Sequence, residues 1–203
     1  MKFTVPNQLT LIRVALTPVF AYYFLQSDAK STLIATIIFF LASFTDWYDG
    51  YIARRFNLIT RWGQYMDPLA DKILISTALV CFAVEDLVFW WIVITIIFRD
   101  TLITFLRSFA LTIGKPIITS MFAKWKTFLQ MFVTFAILVY INFPKLPSIH
   151  LSEVDNSWFL WTTILFLAVV LLTLVSGIHY MIVNREHLSA LWRLLFKKLE
   201  RDE

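Results

Sequence analysis

The sequence predicts an all-α integral membrane protein: six transmembrane helices with cytoplasmic termini, followed by a C-terminal amphipathic helix. Three observations predict it. Of 203 residues, 59% are hydrophobic and 16% charged, with a mean hydropathy of +0.72, which is more apolar than a soluble core needs. Apolar segments recur near 9–26, 31–53, 68–84, 88–112, 125–143 and 157–183, each about long enough to cross roughly 30 Å of hydrocarbon as a helix. The cations are one-sided. Loops 27–30, 85–87 and 144–156 hold only Lys30 and Lys145, whereas Lys2, Arg54, Arg55, Arg61, Lys115, Arg185, Arg193, Lys197, Lys198 and Arg201 fall on the other side. The positive-inside rule makes that side cytoplasmic, and Trp90, Trp91, Trp158 and Trp161 then lie near the outer interface.

Each element follows from its local sequence. Residues 1–203 read as a single membrane domain, because no linker, repeat or low-complexity stretch divides them. The six-helix core is expected over 1–183. The tail over 184–203 places Leu188, Leu191, Leu195 and Leu199 at helical spacing with cations opposite, the pattern of a helix lying on anionic headgroups. The N-terminus is expected to be retained, since Arg13 interrupts its apolar region and no small-residue cleavage site follows. Cys81 is the single cysteine; it excludes a disulfide framework and reads as a small apolar residue. His150, His179 and His187 are scattered and form no zinc-ligand spacing.

The stretch DWYDGYIARRFNLITRWGQYMDPLADK, residues 46–72, interrupts this apolar pattern. Asp46 and Asp49 are three apart near the end of the second span; Asp67 and Asp71 are four apart at the start of the third. Each pair shares a helix face. Four such charges in a bilayer would cost on the order of 10 kcal/mol unpaired. Hard divalent cations offset that cost, and Mg²⁺ or Mn²⁺ suits carboxylate-plus-phosphate coordination. Gly50, Ala53 and Gly63 keep the helix surface low beside the acids. Arg54 and Arg55 add positive charge, a mixture better suited to a metal–phosphate site than to a bare cation pore.

These residues carry a resemblance. Asp46-x-x-Asp49-Gly50-x-x-Ala53-Arg54, then eight residues, then Gly63-x-x-x-Asp67-x-x-x-Asp71, resembles the signature of the CDP-alcohol phosphotransferases. The resemblance implies a donor, a cytidine diphosphate linked to lipid, and an acceptor hydroxyl that attacks the lipid-side phosphorus and releases CMP. It implies two divalent cations, one held by Asp46, Asp49 and Asp67 and one by Asp46, Asp67 and Asp71, with Asp71 also the catalytic base. It implies that Gly50, Ala53, Arg54, Thr60 and Gly63 line the cytidine and diphosphate site, and that the enzyme is a homodimer. A metal-bound carboxylate is a weak base and an alcohol a weak acid, so proton removal should accompany attack.

Two further stretches bear on the acceptor. PNQLTLIR, Pro6 to Arg13, places Asn7 and Thr10 as candidate helix caps and Arg13 inside a membrane helix. It resembles the P-N-x-L-T-x-x-R opening of the phosphatidylglycerophosphate-synthase and related cardiolipin-synthase branches, which implies that Asn7, Thr10 and Arg13 lie against the nucleotide. AKWKTFLQ, Ala123 to Gln130, sits where the fifth span is expected to begin. There Lys124 and Lys126 would stand at a helix N-terminus that favours an anion, within reach of Arg107. Arg99 is deeper, beside Asp100, and needs a partner or a water-filled cavity. Arg99, Arg107, Lys124 and Lys126 are therefore the candidate ligands of an acceptor phosphate.

K-x-K-T-x-x-Q resembles the same stretch of the phosphatidylglycerophosphate-synthase branch, with Ala123 where Gly is frequent. That likeness implies sn-glycerol 3-phosphate as acceptor, CDP-diacylglycerol as donor, and a multi-pass protein of the cell inner membrane with its site facing the cytoplasm. No nucleic-acid partner is expected. Phosphatidylglycerol or inositol phosphate as acceptor would use the same aspartates. A divalent-cation transporter is the reading outside this class, but transporters place their sites near the midplane at broken helices.

Overall fold

The computed structural model describes residues 5–26, 28–55, 61–112, 121–142, 157–183 and 185. Among these residues six helices follow one another: α1 (Val5–Phe24), α2 (Ala29–Arg55), α3 (Arg61–Val84), α4 (Trp90–Thr112), α5 (Met121–Asn142) and α6 (Ser157–Val183). The shortest has 20 residues, and at about 1.5 Å per residue each spans roughly 30 Å or more. Residues 125–142 of α5 and 161–183 of α6 are long and apolar enough to cross a membrane, and Ala29–Thr45 of α2 is a shorter apolar stretch. The expected tail helix lies outside the described residues.

Three helix starts differ from those expected. α3 begins at Arg61 rather than near 68, so Asp67 and Asp71 lie inside the helix and not at its start. α5 begins at Met121, which carries Lys126 past the free amides of the first turn. α1 begins at Val5, so Thr10 is more than a turn inside the helix and is not a cap. In α1 and α3 the helix takes in polar residues such as Gln8, Arg61 and Gln64 that lower the local hydropathy, and hydropathy alone starts the element too late.

The large buried aromatic side chains gather towards one end of the bundle. α1 packs against both α2 and α3, α2 against α5, and α6 against α4 and α5. Phe20 meets Phe24 and Phe39 with ring centroids 5.7 Å apart, Phe24 meets Phe82 at 5.5 Å, and Phe82 meets Phe166 at 6.4 Å. These offset and tilted contacts join four helices around Leu74, Leu79, Ile92, Ile96 and Ile137. Towards the other end, buried positions turn polar: Thr10, Arg13, Asp100, Lys126, Gln130, Thr173 and Ser176. Large apolar side chains face outward, among them Phe98, Phe105, Trp125, Phe128, Trp161 and Ile182.

Local chemistry sets the ends of the helices. Asp28 caps α2, its Oδ2 accepting the backbone N–H groups of Lys30 and Ser31 at 3.1 and 3.0 Å. α3 closes through Asp86, whose φ is 54°. The Leu87 N–H reaches the Phe82 carbonyl at 2.9 Å and the Asp86 N–H reaches Ala83 at 3.3 Å, the paired bonds of a left-handed helix stop. Glycine holds that conformation without a Cβ clash, so Asp86→Gly should raise stability by about 0.5–1 kcal/mol. A thermal melt in detergent checks this; a lower melting temperature would show that the Asp86 side chain itself supports the turn.

Candidate active site

α1 and α3 meet through two polar pairs. Thr10 Oγ1 donates to Asp67 Oδ1 at 2.6 Å, and Arg13 Nη1 donates to Asp71 Oδ1 at 2.5 Å. Thr10 and Arg13 lie three apart on α1, and Asp67 and Asp71 four apart on α3, so both pairs fall on facing stripes. Arg13 Nε also donates to the Ala42 carbonyl at 3.2 Å, which accepts the Thr45 hydroxyl at 2.8 Å. One guanidinium thus joins α3 at Asp71 to α2 one turn before Asp46. Arg13 is fully buried, whereas the Asp71 side chain is 29% exposed. A buried charge needs a partner, and each of these two has one in the other. Gly63 is buried one turn before Asp67.

Asp46, Asp49, Gly50, Ala53 and Arg54 belong to the last turns of α2. Their side chains lie outside the described residues, as do those of Asn7 and Lys124 and all of Thr60. Among the described residues no three His, Cys, Asp or Glu side chains gather into a metal-sized group. Asp67 and Asp71 fit a divalent cation by donor chemistry: both are partly exposed carboxylates, one turn apart, and offer oxygen only.

A second cluster stands on another face of α3. Asp100 of α4 accepts Lys72 Nζ at 3.1 Å on Oδ2, and on Oδ1 it accepts Lys126 Nζ at 2.5 Å and Arg99 Nη1 at 3.1 Å. Arg99 Nη2 donates to Ser176 Oγ at 2.5 Å, which ties in α6. Asp100 and Lys126 are buried. Three cations surround one carboxylate, a formal excess of two positive charges. The donors exceed the acceptors as well: among the described residues the buried Arg99 Nε has no hydrogen-bond partner. Gly177 lies beside it, and a Cβ there would stand at ordinary contact distance, 3.5 Å from Arg99 Nε.

Of the four predicted acceptor-phosphate residues, then, Arg99 and Lys126 come together. Arg107 is exposed near the end of α4, within electrostatic reach of Tyr180; the described electrostatic partners of Lys126 are Asp100, Lys72 and Arg99. Sequence reading missed Lys72 and Asp100. Their signal was present: an acid within an apolar segment and a lysine directly after a candidate catalytic aspartate.

The pattern that defines the CDP-alcohol phosphatidyltransferases matches residues 3–175, which contain both clusters. The chain belongs to the CDP-alcohol phosphatidyltransferase family. It is similar to the CDP-diacylglycerol–glycerol-3-phosphate 3-phosphatidyltransferase of Bacillus subtilis, with 37% identity over 200 residues, 92% of this chain and 98% of the relative. The protein of that name from Haemophilus influenzae is 36% identical over 183 residues, 88% of this chain and 99% of its own. The one from Pectobacterium atrosepticum is 41% identical over 143 residues, 68% and 78% of the two chains. Membership in the CDP-alcohol phosphatidyltransferase family makes this chain a transferase of phospholipid synthesis.

Proposed function

We propose that this chain transfers the phosphatidyl group of CDP-diacylglycerol to sn-glycerol 3-phosphate, giving phosphatidylglycerophosphate and CMP. One observation carries the reading: α3 bears carboxylates for the donor and a cation for the acceptor at adjacent positions, Asp71 and Lys72, each tied into its own polar cluster. Relatives at 36–37% identity over almost their whole length bear the name of this reaction.

Each residue then has a task. Asp46, Asp49 and Asp67 hold one divalent cation, and Asp46, Asp67 and Asp71 the other, either Mg²⁺ or Mn²⁺. When bound, these ions neutralise charge on the diphosphate and on departing CMP. Gly50, Ala53, Arg54, Thr60 and Gly63 receive the cytidine and diphosphate, with Asn7, Thr10 and Arg13 closing that side. Thr10 and Arg13 bonded to Asp67 and Asp71 support that placement. The acceptor phosphate lies on Arg99 and Lys126, with Arg107 and Lys124 as its further ligands. Asp71 takes the proton of the acceptor hydroxyl as its oxygen bonds to the lipid-side phosphorus and the bond to CMP breaks. In-line transfer of this kind depends mainly on positioning and charge.

The same reading covers the setting: one domain over 1–203, six spans with cytoplasmic termini, the inner membrane, a surface helix over 184–203, and a homodimer by family resemblance. Helix lengths and the outward apolar side chains support the spans.

CMP release by purified protein tests the reaction, with CDP-diacylglycerol, Mg²⁺ or Mn²⁺, and one acceptor at a time. Release is expected with glycerol 3-phosphate and not with inositol 1-phosphate or phosphatidylglycerol. Release with either of the others alone would keep the donor chemistry and overturn the acceptor. Lys126→Ala should raise the KM for glycerol 3-phosphate by about tenfold, the loss of one charge-assisted contact. A loss confined to CDP-diacylglycerol binding would reassign Lys126 to the donor.

A further inference from the structure

We propose that Asp100 is the positioning residue of the acceptor site, and that Lys72 is one of the cations it positions. The inference rests on the acceptor reading above and deepens it. Lys72, Arg99 and Lys126 come from three different helices, α3, α4 and α5, and nothing in their own sequence neighbourhoods brings them together. The Asp100 carboxylate does, with all three donating to its two oxygens. Alone, three cations in a buried place repel one another; one anion among them makes the arrangement tenable.

That anion does not exhaust them. The cluster keeps an excess of two positive charges, the charge a phosphate monoester dianion brings. Lys126 has three N–H groups and, among the described residues, hydrogen-bonds only to Asp100. Arg99 keeps a buried Nε–H with no acceptor among the described residues, a deficit that costs about 1–3 kcal/mol when left unmade. A dianion with several acceptor oxygens meets both needs. Asp100 is not itself a catalytic residue, because it contacts the cations and not the reacting atoms. Lys72 gives the arrangement its direction. It follows Asp71 directly on α3, so one helix carries both a cation for the acceptor phosphate and the carboxylate that takes the acceptor's proton.

The experiment compares steady-state constants of the full-length wild type and Asp100→Asn, with inorganic phosphate as a competitive probe of the site. Asparagine keeps the size and one acceptor while removing the charge. The KM for glycerol 3-phosphate and the inhibition constant for phosphate should both rise by about tenfold, the scale at which loosened positioning acts. The KM for CDP-diacylglycerol should stay within about twofold. A fall in kcat alone, equal changes in both KM values, or tighter phosphate binding would overturn the proposal, since a purely structural role or a competing anion predicts those results.

Asp100→Asn/Lys72→Met restores the excess of two charges without the carboxylate, and reads the same constants should Asp100→Asn fail to accumulate. Its KM for glycerol 3-phosphate should remain raised; a wild-type value would show that charge alone suffices and overturn the role of Asp100. A wild type that uses phosphatidylglycerol and not glycerol 3-phosphate would overturn the acceptor reading, and the role of Asp100 with it. Rejection of Asp100 alone would instead appear as normal glycerol 3-phosphate turnover in both variants.

Discussion

Asparagine in place of Asp71 is expected to lower kcat by about three orders of magnitude, within the range general bases supply. The side chain keeps its shape and can still accept the Arg13 N–H, so α1 and α3 should stay joined. What it loses is the ability to take a proton, along with one negative charge for a divalent cation. CMP release at saturating donor and acceptor measures the effect. Near-normal turnover would remove Asp71 from the chemistry. Recovery on raising Mn²⁺ tenfold would assign the loss to cation binding instead of proton transfer.

The second large effect is expected at Arg13. Methionine fills similar volume but leaves Asp71 without its guanidinium and the Ala42 carbonyl without one donor. Removing one partner of a buried pair costs about 3 kcal/mol at the lower end of measured values, and the partial exposure of Asp71 keeps the estimate there. A divalent cation that binds the folded site then replaces part of what was lost, because a ligand of the native state stabilises it by mass action. Adding Mg²⁺ or Mn²⁺ should therefore raise the melting temperature of Arg13→Met by more than that of the wild type. Equal shifts would show that Arg13 and the cation do not act on the same carboxylate.

How much of this was legible beforehand differs by element. Hydropathy located all six helices, because an outward face of Phe, Ile and Leu repeats whatever the inner face does. It placed the start of α3 too late, because Arg61, Gln64 and Asp67 lower the hydropathy of a stretch that is still helical. The aspartate pairs were legible because their partners are three or four residues away on one helix. The cation partners were not. Arg13 meets Asp71 across 58 positions and Lys72 meets Asp100 across 28, and no local pattern encodes such a pairing. The sequence showed that Arg99 required a partner, and the fold supplied both Asp100 and Ser176.

Asp71 and Lys72 share a helix but face different neighbours, one towards α1 and the other towards α4 and α5. They therefore behave like two teeth on one shaft. With charged groups roughly 6 Å from the helix axis, a roll of α3 by about 10° carries both by about 1 Å, in different directions. Misplacement on that scale can cost about a hundredfold in rate. On the proposed roles, anything that turns α3 should therefore disturb donor and acceptor alignment together, and neither should be retunable without the other.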